Sequence, residues 1–214
     1  MSEQHQIENA LNIEYLSAGF ITAIQKAWCY DTCWDGSKDQ YFAQNPDLNP
    51  ATDARITGQT NPSFGNCLVT TLAAAADMYF NAEILPSLVH EAGKDQPTWH
   101  FFLSLNTMGW VDIDPTRQQF SADAEVEVLE KYHPMRNEVL YGSLFEPQEN
   151  ERLRARLALL LNRMEQNGYG LRFDSDEIVD RVQKTFAESR YFGHKPMTQQ
   201  DKTATQAVAA FTPK

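Results

Sequence analysis

The chain has 214 residues, 42% apolar and 22% charged, which suits a soluble globular protein with one proper core, alone or with an appendage. A net charge of −11 at pH 7 and a pI near 4.8 argue against nucleic acid and anionic membrane surfaces as partners, since both need a basic face. No apolar run approaches the roughly 18 residues of a membrane span, and Met1–Gln6 lacks a secretory leader's basic and apolar regions. Three cysteines, Cys29, Cys33 and Cys67, are too few for a disulfide framework and fit a reducing cytoplasm.

Residues 7–28 predict an amphipathic helix, with Ile13, Leu16, Phe20, Ile24 and Ala27 at three- and four-residue steps and Gly19 as a weak point. An aromatic stretch from Ala27 to Trp34 follows, in which Cys29 and Cys33 read as packing residues. Their spacing is not that of a redox pair, and no second Cys/His cluster completes a zinc site. Residues 35–65 are rich in turn signals (Asp35-Gly36, Asn45-Pro46, Asn49-Pro50, Asn61-Pro62). They form a long aperiodic connection, usually a functional feature in a compact domain.

That connection runs into a helix expected from Cys67 to about Phe80, apolar nearly all round and therefore central to a domain. Cys67 is its first residue. Unpaired N–H groups and the positive end of the helix dipole gather there, and both favour thiolate over thiol. The plainer alternative is a small buried apolar side chain, the usual fate of a free cysteine.

Ile84-Leu85 and Leu88-Val89 predict a short strand stopped by Pro86, at an edge or ending there, and His90–Pro97 a loop. Thr98–Asp114 then carries two alternating runs around a turn containing Asn106 and Gly109, the pattern of a hairpin. Trp99, Phe101, Leu103 and Leu105 share one face with Val111 and Ile113. His100, Phe102 and Ser104 share the other with Trp110, Asp112 and Asp114. Matching the apolar faces pairs Leu103 with Val111, Phe101 with Ile113 and so His100 with Asp114, whose Cβ atoms would lie about 5 Å apart.

Residues 123–131 read as an acidic helix, and 148–167 and 175–189 as amphipathic helices with core-facing apolar stripes. From Lys195 on, the chain reads as a polar, mobile tail. The expected organisation is a core over 1–121 with its N-terminal helix, a helical extension over 122–194 and a tail over 195–214.

A Cys at a helix start, a His on one strand and an Asp on the next are the groups a thiol nucleophile requires. The His takes the thiol proton and the Asp orients the His. His90, His133 and His194 lie in polar surroundings and read as surface residues, and Asp112 reads as a hydrated strand residue rather than the orienting group. The backbone N–H of Cys67 is the natural oxyanion donor, with the side-chain amide of Asn66 or Gln59 as a second. Neither a cofactor nor a metal is called for.

Gly65-Asn66-Cys67-Leu68-Val69-Thr70, the His100 strand and Val111–Phe120 together resemble the bacterial YunG-like family. Its members carry a Gly-Gln-Cys-x-Val-Thr helix start, a His-aromatic strand and an Ile-Asp-x-Thr-Arg-x-Gln-Phe segment. The stretch from Ala27 to Cys33 is similar to its N-terminal part, so the resemblance covers roughly residues 20–121. It implies an α+β fold of papain-like (NlpC/transglutaminase-like) type, a Cys-bearing helix packed on a small antiparallel sheet, with a helical C-terminal extension outside the resemblance. It also carries over Cys67, His100 and Asp114 as a triad. Asn66 stands where the family has Gln, the preceding loop is long, and residues 122–214 have no counterpart.

The expected function is therefore a thiol-dependent hydrolase or acyl transferase (peptidase, amidase, deamidase or transglutaminase-like) acting on an amide or ester, including those of proteins and peptides. Two alternatives are a catalytically idle domain that binds through its pocket or helices, and a toxin-like effector that modifies a host protein.

Overall fold

Ser17 begins the regular architecture. Its hydroxyl accepts the N–H of Phe20 at 3.1 Å and caps helix α1, Ala18–Ala27. The computed structural model describes residues 12–37, 48–49, 54–55, 63–107, 109–129 and 134–188. The long N-terminal helix expected over 7–28 is thus shorter. Residues 7–11 lie outside the described residues, Ile13–Tyr15 form a single 3-10 turn, and Leu16 and Ser17 are extended. A serine that can cap competes with helix continuation, and here it wins. Gly19 is required by packing rather than by a break: a Cβ there would lie 2.9 Å from the Tyr169 ring.

Past α1, Trp28, Cys29 and Cys33 are buried while Trp34 is exposed. The aromatic stretch therefore tucks in only its first part. Within the long connection, two-residue strands β1 (Leu48–Asn49) and β2 (Ala54–Arg55) pair antiparallel; Gln59 lies outside the described residues.

Helix α2, Cys67–Asp77, is buried at every position from Cys67 to Ala76, as an all-round apolar helix must be. Its two threonines are bonded rather than merely enclosed. Thr70 Oγ1 accepts from Trp28 Nε1 at 2.8 Å, and Thr71 Oγ1 donates to the carbonyl of Phe101 at 2.9 Å, tying α2 to the end of α1 and to the sheet. The helix stops three residues before Phe80. Tyr79 and Phe80 take φ of 53° and 60°, and their N–H groups turn back to Ala76 and Ala75, a Schellman-type ending.

The main sheet is antiparallel with strand order β5-β4-β3-β6, built from β3 (Glu83–His90), β4 (Thr98–Asn106), β5 (Trp110–Ile113) and β6 (Glu125–Val128). Two expectations fail here. Pro86 does not end β3, which runs on to His90 in the interior of the sheet. The β6 ladder starts only at Ser87, so at Pro86 the strand is still locally an edge, where a missing N–H is tolerated. The acidic segment 123–131 holds a strand rather than a helix. The ladder with β3 and the alternation Glu125-Val126-Glu127-Val128 outweigh the acidic composition.

Helix α3 (Pro134–Phe145), which the sequence reading did not single out, is followed by α4 (Pro147–Gln166) and α5 (Ser175–Glu188), both close to the expected spans. The stripe of α4 is buried at Leu153, Leu157, Leu160 and Met164, and the helix packs on α1, α2 and α3. Each such side chain contributes about 1.5–3 kcal/mol on burial. Arg163 Nε donates to the carbonyl of Ala27 at 2.8 Å, closing the C-terminal end of α1. Arg154 reaches Asp176 at 3.0 Å and Asp180 at 2.6 Å on α5. The chain divides into two units after Asp180. The fold class is thus α+β with a small antiparallel sheet. Among the described residues, no helix is long and apolar enough to cross a membrane.

Candidate active site

The site is assembled where the turn before α2 meets strand β4. Gly65 adopts φ +68°, which turns the chain so that Asn66 can act as the N-terminal residue of α2 and Cys67 as its first helical residue. Three backbone bonds hold this turn. Asn66 N–H reaches Ser63 at 2.9 Å, Thr70 N–H reaches Asn66 at 3.0 Å, and Trp34 N–H reaches Gly65 at 2.8 Å. Cys67 is buried with 9% of its surface exposed. The first N–H groups of α2 have no carbonyl partner within the helix, so the thiol sits beside concentrated partial positive charge.

His100 comes from β4 and is fully buried, stacked against Phe102 and edge-on to Phe120 with ring centroids 4.9 Å apart. Its Nε2 donates to Asp114 Oδ2 at 2.6 Å. The other Asp114 oxygen accepts from the N–H of Thr116 at 3.0 Å and from its hydroxyl at 3.1 Å. Both carboxylate oxygens are therefore engaged, and the carboxylate is held from behind by its own turn.

The structure places His100 beside Asp114, but not by the expected register. Leu103 faces Ile113, Ser104 faces Asp112, and Asn106 faces Trp110, so the hairpin has slipped by two residues relative to the expected pairing. A two-residue slip keeps every side chain on its expected face, so the apolar match alone does not distinguish the registers. The short connection Thr107–Gly109, in which Thr107 N–H bonds the Gly109 carbonyl at 2.9 Å, selects the tighter pairing. His100 and Asp114 consequently meet on a diagonal rather than directly opposed, within reach of long side chains.

Other candidates fall elsewhere. Asp112 is opposite Ser104 and accepts its hydroxyl at 2.7 Å. His90 is exposed and pairs with Glu127 at 3.0 Å. Asn66 is fully buried, and its Nδ2 donates to the Phe64 carbonyl at 3.2 Å. His133 and His194 lie outside the described residues.

One participant escaped sequence reasoning. Gln119, from the 3-10 turn Arg117–Gln119, spans the gap between the cysteine turn and the histidine. Its Oε1 accepts the N–H of Gly65 at 3.3 Å, and its Nε2 lies 3.2 Å from His100 Nδ1. The backbone N–H can only donate, so the amide atom facing it is the oxygen, and the atom facing His100 is the NH2 group. Nδ1 must then accept, which puts the ring proton on Nε2, toward Asp114. The sequence signals were its position, five residues beyond Asp114, and its match to the Gln of the Ile-Asp-x-Thr-Arg-x-Gln-Phe pattern, neither of which assigned it a role.

The electrostatics are opposed. Burial alone would lower the His100 pKa, but the charge of Asp114, its hydrogen bond, and the neighbouring Cys67 outweigh it and raise the ring from 6.5 to about 10. Gln119 pulls the other way, because an imidazolium would present Nδ1–H to an amide N–H. Replacing Gln119 with Met should therefore raise the His100 pKa, and Gln119→Glu should raise it further. Ring nitrogen chemical shifts followed through a pH titration read this directly, and an unchanged or lowered pKa contradicts the clamp. In comparisons with family models, curated proteins and solved structures, none matches this chain.

Proposed function

We propose that this chain is a thiol-dependent hydrolase or acyl transferase with a papain-like core, acting on an amide or ester carbonyl. The observation that carries the reading is a fully buried His100 with Asp114 on Nε2, its pKa raised by Asp114 first and by the nearby Cys67 as well, with Cys67 the first residue of a buried helix. In this reading the neutral form of His100 takes the S–H proton of Cys67 at Nδ1, which requires Gln119 Nε2 to move aside, and the sulfur attacks the carbonyl carbon. The oxygen becomes an oxyanion facing the N-terminal N–H groups of α2, that of Cys67 first. Collapse passes the proton from His100 to the leaving amine or alcohol and leaves a thioester, which water or an acceptor amine then resolves. Asn66, whose Nδ2 gives one of its two hydrogens to the Phe64 carbonyl, is the further side-chain donor in this reading. The three cysteines carry free thiols, which fits work in the reducing cytoplasm. The YunG-like resemblance points to the same three residues.

A second reading, an idle domain that binds rather than reacts, draws on the burial of Cys67. Alkylation separates the two. Iodoacetamide labelling of the folded protein, with the labelled cysteine located by peptide mass, should modify Cys67 near neutral pH. In His100→Ala the rate should fall by about 10²-fold or more, the usual contribution of a positioned base. A Cys67 that reacts only after denaturation, or equally fast without His100, rules out the enzyme.

A further inference from the structure

Arg156 lies on α4, one turn from the buried leucines, and is itself buried with 8% of its surface exposed. Its hydrogen bond is Nε to the carbonyl of Arg152 at 3.4 Å. Among the described residues, no carboxylate is in ion-pair contact with it. Burial lowers its pKa, opposed most by the charge of Asp35. A buried guanidinium is costly unless a counter-charge meets it.

Arg156 also faces open space. A cavity of about 270 Å³ is lined by Asp31, Asp35, Arg152, Ala155, Arg156 and Leu159. The two carboxylates of that lining are differently placed from the arginine. Asp31 is exposed to water, and Asp35 is exposed and sits 3.7 Å from Arg152, which also reaches Glu149 at 2.9 Å. The cavity thus offers the buried Arg156 fork of N–H donors beside apolar Ala155 and Leu159, with exposed Asp31, Asp35 and Arg152 around it. A fork of that kind matches two carboxylate oxygens. A phosphate monoester, with about two negative charges, meets more repulsion from Asp31 and Asp35.

We propose that this cavity binds a carboxylate on Arg156. An acidic side chain, a chain terminus and a small free acid present the same two oxygens, and the cavity has room for one group of amino-acid size.

The test titrates the full chain with glutarate, with inorganic phosphate and with a short peptide bearing a free or an amidated C-terminus, all at matched ionic strength. Binding is followed by calorimetry in the wild-type, Arg156→Lys and Cys67→Ala proteins, and at the Arg156 Nε–Hε resonance in the two that retain Arg156. Expected are saturable shifts with a carboxylate ligand, weaker binding of phosphate, and at least a tenfold loss in Arg156→Lys. The Cys67→Ala protein should bind unchanged, which keeps this result independent of the catalytic reading. Glutarate binding assigns a small acid, and preference for the free over the amidated peptide assigns a chain terminus. An Arg156 resonance that no carboxylate moves, or moves no more than those of exposed arginines, overturns the proposal. So does tighter binding of phosphate. If Arg156→Lys fails to fold, the wild-type shifts decide alone.

Discussion

Asp114→Asn should destabilise the protein by about 3–5 kcal/mol at pH 6 and by clearly less above pH 10, as removal of one member of a buried pair does. The sign follows from His100. Its pKa rises from 6.5 to about 10 on folding, chiefly against burial through Asp114. The stabilisation that the pair supplies is therefore complete below about pH 6.5 and is lost as pH rises through about 10. With asparagine the ring loses its counter-charge, burial dominates, and His100 turns neutral.

The substitution also reverses the ring's hydrogen bonding. Thr116 offers two donors to the Oδ1 position, which holds the oxygen of the new amide there and turns its NH2 toward Nε2. Nε2 must then accept, and the proton moves to Nδ1, against Gln119 and away from any role as base toward Cys67. Alkylation of Cys67 near neutral pH should fall by about 10²–10⁴-fold. Denaturant unfolding of both proteins between pH 6 and pH 10.5 measures the first effect. A stability difference that stays constant over that range refutes the linkage.

Gly65→Ala is expected to cost about 2–5 kcal/mol in stability, from two sources. At φ +68° an alanine Cβ is strained, and it would overlap Cys33 Sγ and lie 2.8 Å from Ser37 Cβ. Neither obstacle is a flexible tip, since both belong to the segment that Trp34 N–H ties to Gly65. Relief requires moving the turn that carries Cys67 and receives Gln119. The variant should thus lose both melting temperature and Cys67 reactivity, while Gly93→Ala, at φ +81° with no atom nearby, should pay backbone strain alone. Equal losses in the two variants would show that crowding at Gly65 contributes nothing.

The parts of this site that were legible in the sequence are those set by periodicity. The all-round apolar run after Cys67 marked a buried helix, and alternation in Thr98–Asp114 put His100 and Asp114 on one face of a hairpin. Alternation has a period of two, so it determines faces and leaves a slip of two residues undetermined; the turn chose between them. Pro86 misled because sequence shows a missing N–H but not which flank of the strand lacks a neighbour. Glu125–Val128 misled because its pairing with β3 is remote in the chain. The bridging role of Gln119 was hidden for the same reason, since its two partners, Gly65 and His100, come from separate elements. Arg156 sat on the expected polar face of an amphipathic helix, and only packing shows that it is enclosed.

Tyr169 has a consequence for how the chain reaches this arrangement in a cell. Its hydroxyl bonds both the cap residue of α1, Ser17 at 2.7 Å, and Asp77 at the far end of α2, and its ring fills the notch left by Gly19. A ribosome releases residues 17 and 77 long before residue 169, so neither helix end can be locked while the intervening segment is still being made. The lock on the end of the cysteine helix therefore waits until residue 169 has been synthesised. Maturation of the site is timed by translation, and ribosome-bound chains halted before residue 169 should label at Cys29 and Cys33 as readily as at Cys67.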